Sequence, residues 1–313
     1  MPSKKIAFIF PGQASQYVGM GREMLEGFPD TKEIFEQVDD ICGKPISRLC
    51  LEGPIEELTL TDNLQPAITA VNIICLSALN KSGVYPDISA GHSLGEYSAL
   101  ASSGTVTFFD ALKLTMKRGE LMHREAQANP GAMAAIIGVE IDAVTDIVRQ
   151  CAGNGVIAVA NHNTALQIVI TGQNEPVAQA MELAKQRGAR AIQLKVSGAW
   201  HCDLMKNAVN DFRRFMDGIT FSAPKTTMLF NATAGIESEP EKIKDTMAMQ
   251  LTSPVKWYDI VLKMMDQGID TFVEVGPKKV LSGLVSKIIP DKSARIYNVE
   301  DMKSLEAFLN GVK

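Results

Sequence analysis

The sequence predicts an α/β fold in which helices cover both faces of a mainly parallel sheet and a small subdomain is inserted. Two patterns support this prediction. Apolar runs typical of strands, at Lys5–Phe10 and Ile88–Ala90, are each followed by helical patterns, and strands that alternate with helices form parallel sheets. From Gly131 onward the alternation changes, which marks the beginning of the inserted unit.

The larger part begins with the strand Lys5–Phe10, the loop PGQASQYVGMG and a largely helical stretch. The segment LQPAITAVNIICLSALNKSG is predicted to be helical because its apolar residues recur every three to four positions, and Gly83 ends it. The strand Ile88–Ala90 follows, and another helix runs from about Asp110 to Gln127. After the insertion, HCDLMKNAVNDFRRFM is predicted to be a helix and TFVEVGP a buried strand.

The inserted unit has its own order of elements. AMAAIIGV is predicted to be a strand, DAVTDIVRQCA a helix, VIAVANHN and LQIVITG two strands, EPVAQAMELAKQRG a helix and ARAIQLKVS a last strand. This β-α-β-β-α-β order is that of a ferredoxin-like unit. The sequence therefore predicts an inserted ferredoxin-like subdomain at residues 130–198, with residues 1–129 and 199–313 forming one larger domain.

Composition excludes several classes of function. The formal net charge of −5 argues against nucleic-acid binding, which needs a basic face. No apolar run approaches the ~18 residues of a membrane span, and Pro11 and Gly12 interrupt the first apolar run before a secretory core can form. The five cysteines are scattered and include no Cys-x-x-Cys pair. This usage predicts a reducing, cytoplasmic location, with neither a disulfide framework nor a metal site.

The segment GHSLG, residues 91–95, places a serine between two glycines where a strand is predicted to turn into a helix. Such a Gly-x-Ser-x-Gly turn is what a nucleophile elbow needs, because it lifts the hydroxyl of Ser93 clear of the sheet without bulky neighbours. A turn of small residues packed against a helix has the same pattern. The five residues alone leave both interpretations open.

A serine nucleophile needs a base within hydrogen-bond reach, and the chain has only four histidines. His92 is adjacent to the serine and is expected to pack at the start of the helix. His123 is expected on a solvated helix face and His162 at a strand end of the small subdomain. By elimination His201, where the chain returns to the larger domain, is the candidate base.

Acyl transfer also needs donors for the developing oxyanion. The N–H of Leu94 follows the serine at a helix N-terminus and supplies one. The loop after the first strand lies at the same carboxyl edge of a parallel sheet, so Gln13 is the candidate for the second donor. A Pro-Gly-Gln loop is also common as a simple turn, and no G-x-G-x-x-G follows that strand.

Arg118 is the most informative charge. On a helix its same-face neighbours are mostly apolar, whereas Lys117 faces charged residues. An arginine on an apolar face either pairs with an internal acid or binds an anionic ligand. The spacing alone does not decide between these alternatives.

Taken together, the motifs of this chain resemble those of the malonyl-CoA:acyl carrier protein transacylases. The similarity extends from about Ile6 to past Leu284 and is far more specific than the serine motif, which many hydrolases share. The motifs occur in the family's order: FPGQASQ, GHSLGEYSAL, KRGELM, GAMAAIIG, HCDLM, LTSPVKW and VEVGPKKVL.

The resemblance implies a role for each candidate. Ser93 would be the nucleophile that accepts the acyl group, and His201 would be its base. Gln13 and Leu94 would supply the oxyanion-hole N–H groups, and Arg118 would hold the malonyl carboxylate as a bidentate pair.

The resemblance also implies that a main-chain carbonyl at Gln250 orients the histidine, so that no acid completes a triad. The family fold is a hydrolase-like α/β core with a ferredoxin-like insertion.

Two positions depart from the family pattern. Ala14 stands where the family usually has glycine, which would strain the oxyanion loop if that position has a positive φ. Trp200 precedes the histidine, and it is expected to line the acyl pocket and favour malonyl over methylmalonyl groups; a tryptophan packed inward to support the His201 loop is the alternative.

The function expected from this resemblance is transfer of a malonyl group from malonyl-CoA, through a seryl ester, to the phosphopantetheine thiol of an acyl carrier protein. Neither a metal nor a redox cofactor is implied, and the expected state is a monomer. A serine thioesterase or esterase would share the same elbow, and a non-catalytic docking subunit would share the fold. The sequence does not distinguish fatty-acid from polyketide synthesis.

Overall fold

The computed structural model describes residues 5–291 and 293–312. Residues 1–4 and 313, at the ends of the predicted larger domain, and residue 292 lie outside this range. The strands in chain order are β1 (Ile6–Phe10), β2 (Ile88–Gly91), β3 (Ala132–Ile137), β4 (Ile157–Thr164), β5 (Gln167–Gly172), β6 (Arg190–Gln193), β7 (Thr227–Met228), β8 (Thr271–Val275) and β9 (Arg295–Val299).

The α-helices alternate with these strands over much of the chain. In chain order they are α1 (Arg22–Gly27), α2 (Lys32–Cys42), α3 (Ile46–Glu52), α4 (Ile55–Leu58), α5 (Thr61–Lys81), α6 (Gly95–Ser102), α7 (Phe108–Ala128), α8 (Ile141–Cys151), α9 (Asn174–Gln186), α10 (Lys206–Met216), α11 (Pro240–Met249), α12 (Trp257–Asp266), α13 (Val280–Ile288) and α14 (Met302–Val312). None of the helices within the described ranges has both the length and the apolar character needed to cross a membrane.

The first sheet is parallel, with strand order β7-β2-β1-β8-β9. Alternate residues of β1 point to opposite faces, so that Phe8 and Phe10 join one apolar core and Ala7 and Ile9 join another. Because both faces are covered, the strand is an unbroken apolar run. The register pairs Phe10 with Gly91, which brings the loops after β1 and β2 to the same edge of the sheet.

The second sheet is antiparallel, with strand order β4-β5-β3-β6. Helices α8 and α9 cover one face, where Ala134, Ile136 and Ile170 belong to a separate apolar core. Met133 and Val169 belong instead to the large core of the first sheet. Packing of Met133 and Val169 into the large core brings the other face of the antiparallel sheet, the one without helices, toward the carboxyl edge of the parallel sheet.

The mixed α/β fold with a mainly parallel sheet is therefore confirmed, and the differences concern single elements. Helix α5 begins at Thr61, three residues before the predicted segment, and continues through Pro66, its sixth residue, where the missing N–H leaves one backbone bond of the helix unmade. Strand β6 ends at Gln193, whereas the apolar pattern predicted a strand up to Ser197. The sequence pattern predicted neither β7 nor β9. Strand β7 has only two residues, and β9 lies at the edge of the sheet.

Candidate active site

Ser93 lies in the turn between β2 and α6, with φ at 50°, in the left-handed region. Glycine is required at the two flanking positions because backbone atoms of neighbouring segments lie too close for a side chain. A Cβ on Gly95 would lie 2.0 Å from the carbonyl oxygen of Phe10, and a Cβ on Gly91 would lie 1.9 Å from the carbonyl carbon of Gly95. The pattern therefore serves both interpretations made from the sequence. It is a tightly packed turn, and the turn presents the serine hydroxyl.

Asn231 holds this strained turn in place. Its Oδ1 accepts the Ser93 N–H at 2.6 Å, and its Nδ2 donates to the Gly91 carbonyl at 2.7 Å. A non-glycine residue at positive φ persists only where the surrounding structure fixes it. Because its own N–H is already bonded, Ser93 does not donate to an oxyanion from its backbone.

His201 lies against the serine, with 2.8 Å between Nε2 and Ser93 Oγ. Its Nδ1 lies 3.0 Å from the carbonyl oxygens of both Gln250 and Ser253. Carbonyls only accept, so Nδ1 carries the proton and the Nε2 lone pair faces the serine hydroxyl. Burial, together with the positive charge of Arg118, lowers the pKa of His201 to about 3. The ring is therefore neutral at pH 7.

The other histidines do not reach the serine hydroxyl. His92 is held by Asn163 Oδ1 at 2.8 Å from its Nε2 and packs edge-on against Trp257. His162 packs against a tyrosine ring, and His123 contacts a glutamine on the next turn of its own helix. Among the described residues, His201 is therefore the histidine in contact with Ser93 Oγ.

The two backbone donors expected for the oxyanion meet at the same edge. Leu94 is fully buried at the start of α6, and a Cβ on Gly12 would lie 3.6 Å from its nitrogen. Neither the Leu94 N–H nor the Gln13 N–H bonds to another group in the described part of the chain. The Gln13 side chain is directed to Thr61 Oγ1 at 3.3 Å, so the backbone N–H is the group left to act as donor.

Ala14 has φ at 81°, a positive value at which a residue other than glycine is strained. Contacts from outside the loop restrain it. Asn72 Nδ2 donates to the Pro11 carbonyl at 3.1 Å, and Lys278 Nζ donates to the Ala14 carbonyl at 3.3 Å. The strain is therefore held by neighbouring elements, as positive φ at a non-glycine residue requires.

Arg118 is completely buried in α7, and its guanidinium reaches the nucleophile. Nη2 donates to Ser93 Oγ at 3.1 Å and to Gln250 Oε1 at 3.0 Å, and Nη1 donates to Gln65 Oε1 at 2.8 Å. Its carbon lies 5.5 Å above the centre of the Tyr97 ring. Its hydrogen-bond partners are thus neutral groups, and no described carboxylate forms an ion pair with it. The internal salt bridge considered from the sequence is wrong.

A cavity of about 240 Å³ opens at these groups. Ser93, His201 and Gln13 line it from the parallel-sheet part, and Met133 and Asn161 line it from the antiparallel sheet. The cavity therefore lies between the two sheets.

Trp200 also lines the cavity but is only 5% exposed. A Cβ on Gly198 would lie 2.5 Å from the far edge of the indole ring, and 2.7 Å from Ala126 of α7. The ring therefore both borders the cavity and packs inward.

Some residues of this site were not identified from the sequence. Gln65 on α5, Asn231 after β7 and the carbonyl of Ser253 each bond directly to a candidate residue. Gln65 gave a signal, since it is a polar residue within an apolar helix. Asn231 and Ser253 lie in turns where polar residues are ordinary, and no pattern distinguished them.

The chain is similar to known proteins over nearly its whole length. Residues 7–306 match the Acyl transferase domain family. The chain is 41% identical to the malonyl CoA-acyl carrier protein transacylase of Bacillus subtilis over 311 residues, which are 99% of this chain and 98% of that protein.

Solved structures give the same result. The acyl carrier protein S-malonyltransferase of Vibrio cholerae superposes with a TM-score of 0.94 at 38% identity, covering 97% of this chain and all of that one. A malonyl-transacylase in complex with its type II PKS acyl-carrier protein superposes with a TM-score of 0.94 at 34% identity, covering 98% and 100%. The chain belongs to the malonyl-CoA:acyl carrier protein transacylase family.

Proposed function

We propose that this protein moves a malonyl group from malonyl-CoA to the phosphopantetheine thiol of an acyl carrier protein through an ester on Ser93. One observation carries the proposal: Ser93 Oγ contacts both His201 Nε2 and Arg118 Nη2. A neutral base and a buried cation thus meet at one hydroxyl. A serine esterase needs the base, but only an acyl group with a free carboxylate makes use of the cation.

In the first half-reaction, His201 Nε2 takes the proton from Ser93 Oγ as the oxygen attacks the thioester carbonyl. The tetrahedral oxyanion accepts from the N–H groups of Leu94 and Gln13. When the intermediate collapses, the C–S bond breaks and His201 returns the proton to the CoA sulfur. The malonyl group remains as an ester on Ser93.

The second half-reaction runs the same steps with the carrier thiol. His201 takes the thiol proton, the sulfur attacks the ester carbonyl and the same oxyanion forms. Ser93 Oγ leaves and regains the proton from His201. The Nδ1–H of His201 stays bonded to the Gln250 and Ser253 carbonyls throughout, and these carbonyls stabilise the imidazolium without a carboxylate.

Arg118 would hold the malonyl carboxylate. Its Nε has no partner in the described residues, and its Nη2 is shared between two neutral oxygens. A carboxylate that accepts from this guanidinium satisfies the unpaired donor and neutralises a buried charge. The acyl carbonyl is then held next to Ser93 Oγ.

The finer fold and domain assignments are part of the proposal. The β-α-β-β-α-β order and the strand order β4-β5-β3-β6 support a ferredoxin-like subdomain at residues 130–198. The parallel sheet with Ser93 at its strand-to-helix turn supports a hydrolase-like catalytic domain from residues 1–129 and 199–313.

The partner is proposed to be an acyl carrier protein, which the relative solved with a type II PKS acyl-carrier protein supports. Acyl exchange between two thiols changes no oxidation state, so a serine and a histidine are sufficient and no cofactor is proposed. We also propose that the protein acts as a monomer in the cytoplasm. The five free cysteines support the reducing compartment.

Intact-protein mass spectrometry tests the proposal. After mixing with malonyl-CoA, the wild type should gain one malonyl group, and Ser93→Ala should gain none. Ser197→Ala, which changes an exposed serine at the same cavity, should be acylated like the wild type. Adding carrier protein should clear the adduct from the enzyme and place it on the carrier. A malonyl adduct on Ser93→Ala, or release of free malonate in place of transfer, would overturn the proposal.

A further inference from the structure

Glu96 is a buried carboxylate that the mechanism above does not use. It lies in the first turn of α6, three residues after the nucleophile, and has no exposed surface. A carboxylate is almost never fully buried unless it is paired. Its partners therefore indicate what holds it there.

Each oxygen of Glu96 accepts one hydrogen bond. Oε1 accepts the backbone N–H of Asn231 at 2.8 Å, and Oε2 accepts Nε2 of Gln250. Both partners belong to the site: the side chain of Asn231 holds the Ser93 turn, and the carbonyl of Gln250 accepts from His201 Nδ1. Glu96 is thus hydrogen-bonded directly to the residue that holds the Ser93 turn and to the residue that orients His201.

The Gln250 amide has two ends, and Glu96 acts together with the Ser93 carbonyl and Arg118 in setting which way they face. A carboxylate only accepts, so the Nε2 end must face Glu96, where it also donates to the Ser93 carbonyl at 2.9 Å. The Oε1 end then faces Arg118 and accepts from Nη2 at 3.0 Å. In the opposite orientation, the amide would present a donor to the guanidinium and an acceptor to the carboxylate.

We propose that Glu96 is a positioning residue, which fixes the orientation of the Gln250 side chain and thereby the place of the Arg118 guanidinium beside Ser93. The inference rests on the proposed function, because it assigns to Arg118 the carboxylate of the acyl group. The unit Glu96–Gln250–Arg118 places a buried anion and a buried cation at opposite ends of one amide. The two charges offset each other without a direct contact that would withdraw the cation from the substrate.

The electrostatics agree with this role. Burial raises the pKa of Glu96 to about 7, and the bonds from Asn231 and Gln250 and the charge of Arg118 oppose that rise. Both of its oxygens accept, so neither needs a proton. Because pH 8 lies above this pKa, assays at pH 8 examine mainly the carboxylate form.

The variant Glu96→Gln tests the proposal, because an amide cannot accept from both Asn231 and Gln250. One end of the new amide must face a donor, so either the bond from Gln250 Nε2 or the bond from the Asn231 N–H is lost, and the unit that holds the Arg118 guanidinium is weakened. We measure the rates at which Ser93 is acylated by malonyl-CoA and by acetyl-CoA. The ratio of malonyl to acetyl rates should fall about tenfold, which corresponds to one hydrogen bond to a charged group, whereas damage to the fold alone lowers both rates together.

The matched control is Glu274→Gln. Glu274 is likewise fully buried, in β8, and its oxygens accept the backbone N–H groups of Leu281 and Ser282 at 2.9 and 2.7 Å. Neither bond involves a residue of the site, so the Glu274→Gln variant should keep the wild-type ratio even if it is less stable.

A second variant keeps the test decisive if Glu96→Gln does not fold. Gln250→Met removes the amide but keeps the carbonyl that orients His201, and it should lower the ratio as far as Glu96→Gln does. An unchanged ratio in either folded variant overturns the positioning role. Failure of the proposed function is a separate result, since the wild type itself would then take no malonyl group from malonyl-CoA.

Discussion

Arg118 Nη2 donates to Ser93 Oγ at 3.1 Å, so the cation of the site touches the nucleophile directly. The same charge contributes to the low pKa of His201. One side chain thus acts on both reacting groups, and a carboxylate bound to it lies next to the hydroxyl that attacks. In the proposed reaction, this contact would make selection of a carboxylated acyl group and its positioning for attack a single event.

Replacing Arg118 should therefore slow transfer of acyl groups that carry a carboxylate and spare transfer of those that do not. We expect Arg118→Ala to lower malonyl transfer about 100-fold or more, as loss of a charged hydrogen-bonded pair implies. Acetyl transfer should be unchanged or faster, because an acetyl group has no carboxylate for the guanidinium to bind. Acylation rates with the two thioesters measure this difference.

The control for Arg118→Ala is Lys117→Ala, one position earlier on α7, where the lysine pairs with Glu120 at the surface. It should leave both rates unchanged. Equal losses of malonyl and acetyl transfer in Arg118→Ala would make the arginine a structural residue.

Removing the base should slow acylation without preventing substrate binding. We expect His201→Ala to reduce the acylation rate by about 10²–10⁴-fold, the usual contribution of general base catalysis. Rapid-quench mass spectrometry of the acyl-enzyme gives the rate. A rate close to that of the wild type would exclude His201 as the base.

The pKa of His201 also predicts a pH dependence of stability. In the unfolded chain His201 takes a proton near pH 6.5, whereas in the folded protein it stays neutral down to about pH 3. Between these values the unfolded state binds more protons, so the free energy of unfolding should fall as the pH is lowered through this window. His201→Gln should lose less stability over the same range in urea titrations. His123→Gln, at the surface of α7, serves as the control, and equal pH dependence in the wild type and His201→Gln would contradict the prediction.

Relieving the backbone strain in the oxyanion loop should stabilise the protein. Ala14 has φ at 81°, and glycine adopts such values without the steric cost that alanine has. We expect Ala14→Gly to raise the free energy of unfolding by about 0.5–1 kcal/mol. The same change at Ala178, exposed within α9, should lower it by about 1 kcal/mol. Losses of stability at both positions would show that Ala14 is not strained.

Trp200 is expected to exclude an α-methyl group from the acyl pocket. Its ring borders the cavity that holds Ser93, and a rigid indole fills space that methylmalonyl would need. Trp200→Ser should therefore narrow the preference for malonyl over methylmalonyl, by about 1–3 kcal/mol of discrimination, while malonyl turnover is largely kept. Acylation rates measured with malonyl-CoA and with methylmalonyl-CoA, for the wild type and the variant, give this preference. Loss of both activities together would instead assign Trp200 to support of the His201 loop, in line with its packing on Gly198.

Local patterns predicted much of the site. The spacing of GHSLG indicated the turn at Ser93, the shortage of histidines indicated His201, and an arginine on an apolar helix face indicated Arg118. These are properties of short segments, and the structure brings the three side chains together at one hydroxyl. The prediction of family and activity, made from motifs spread along the chain, is confirmed by the comparisons.

What the sequence by itself determined was therefore most of the order of elements and the residues proposed to carry the chemistry, because periodicity and turn composition act over a few residues. The tertiary structure alone decided how Asn231, Gln250 and Glu96 connect. Gln250 lies 154 positions from Glu96 and 132 from Arg118, and no local pattern encodes such a contact. Their polar groups are buried together, and a buried polar group is stable only when it is bonded. Packing of the two sheets and their helices therefore fixed which of these groups pair.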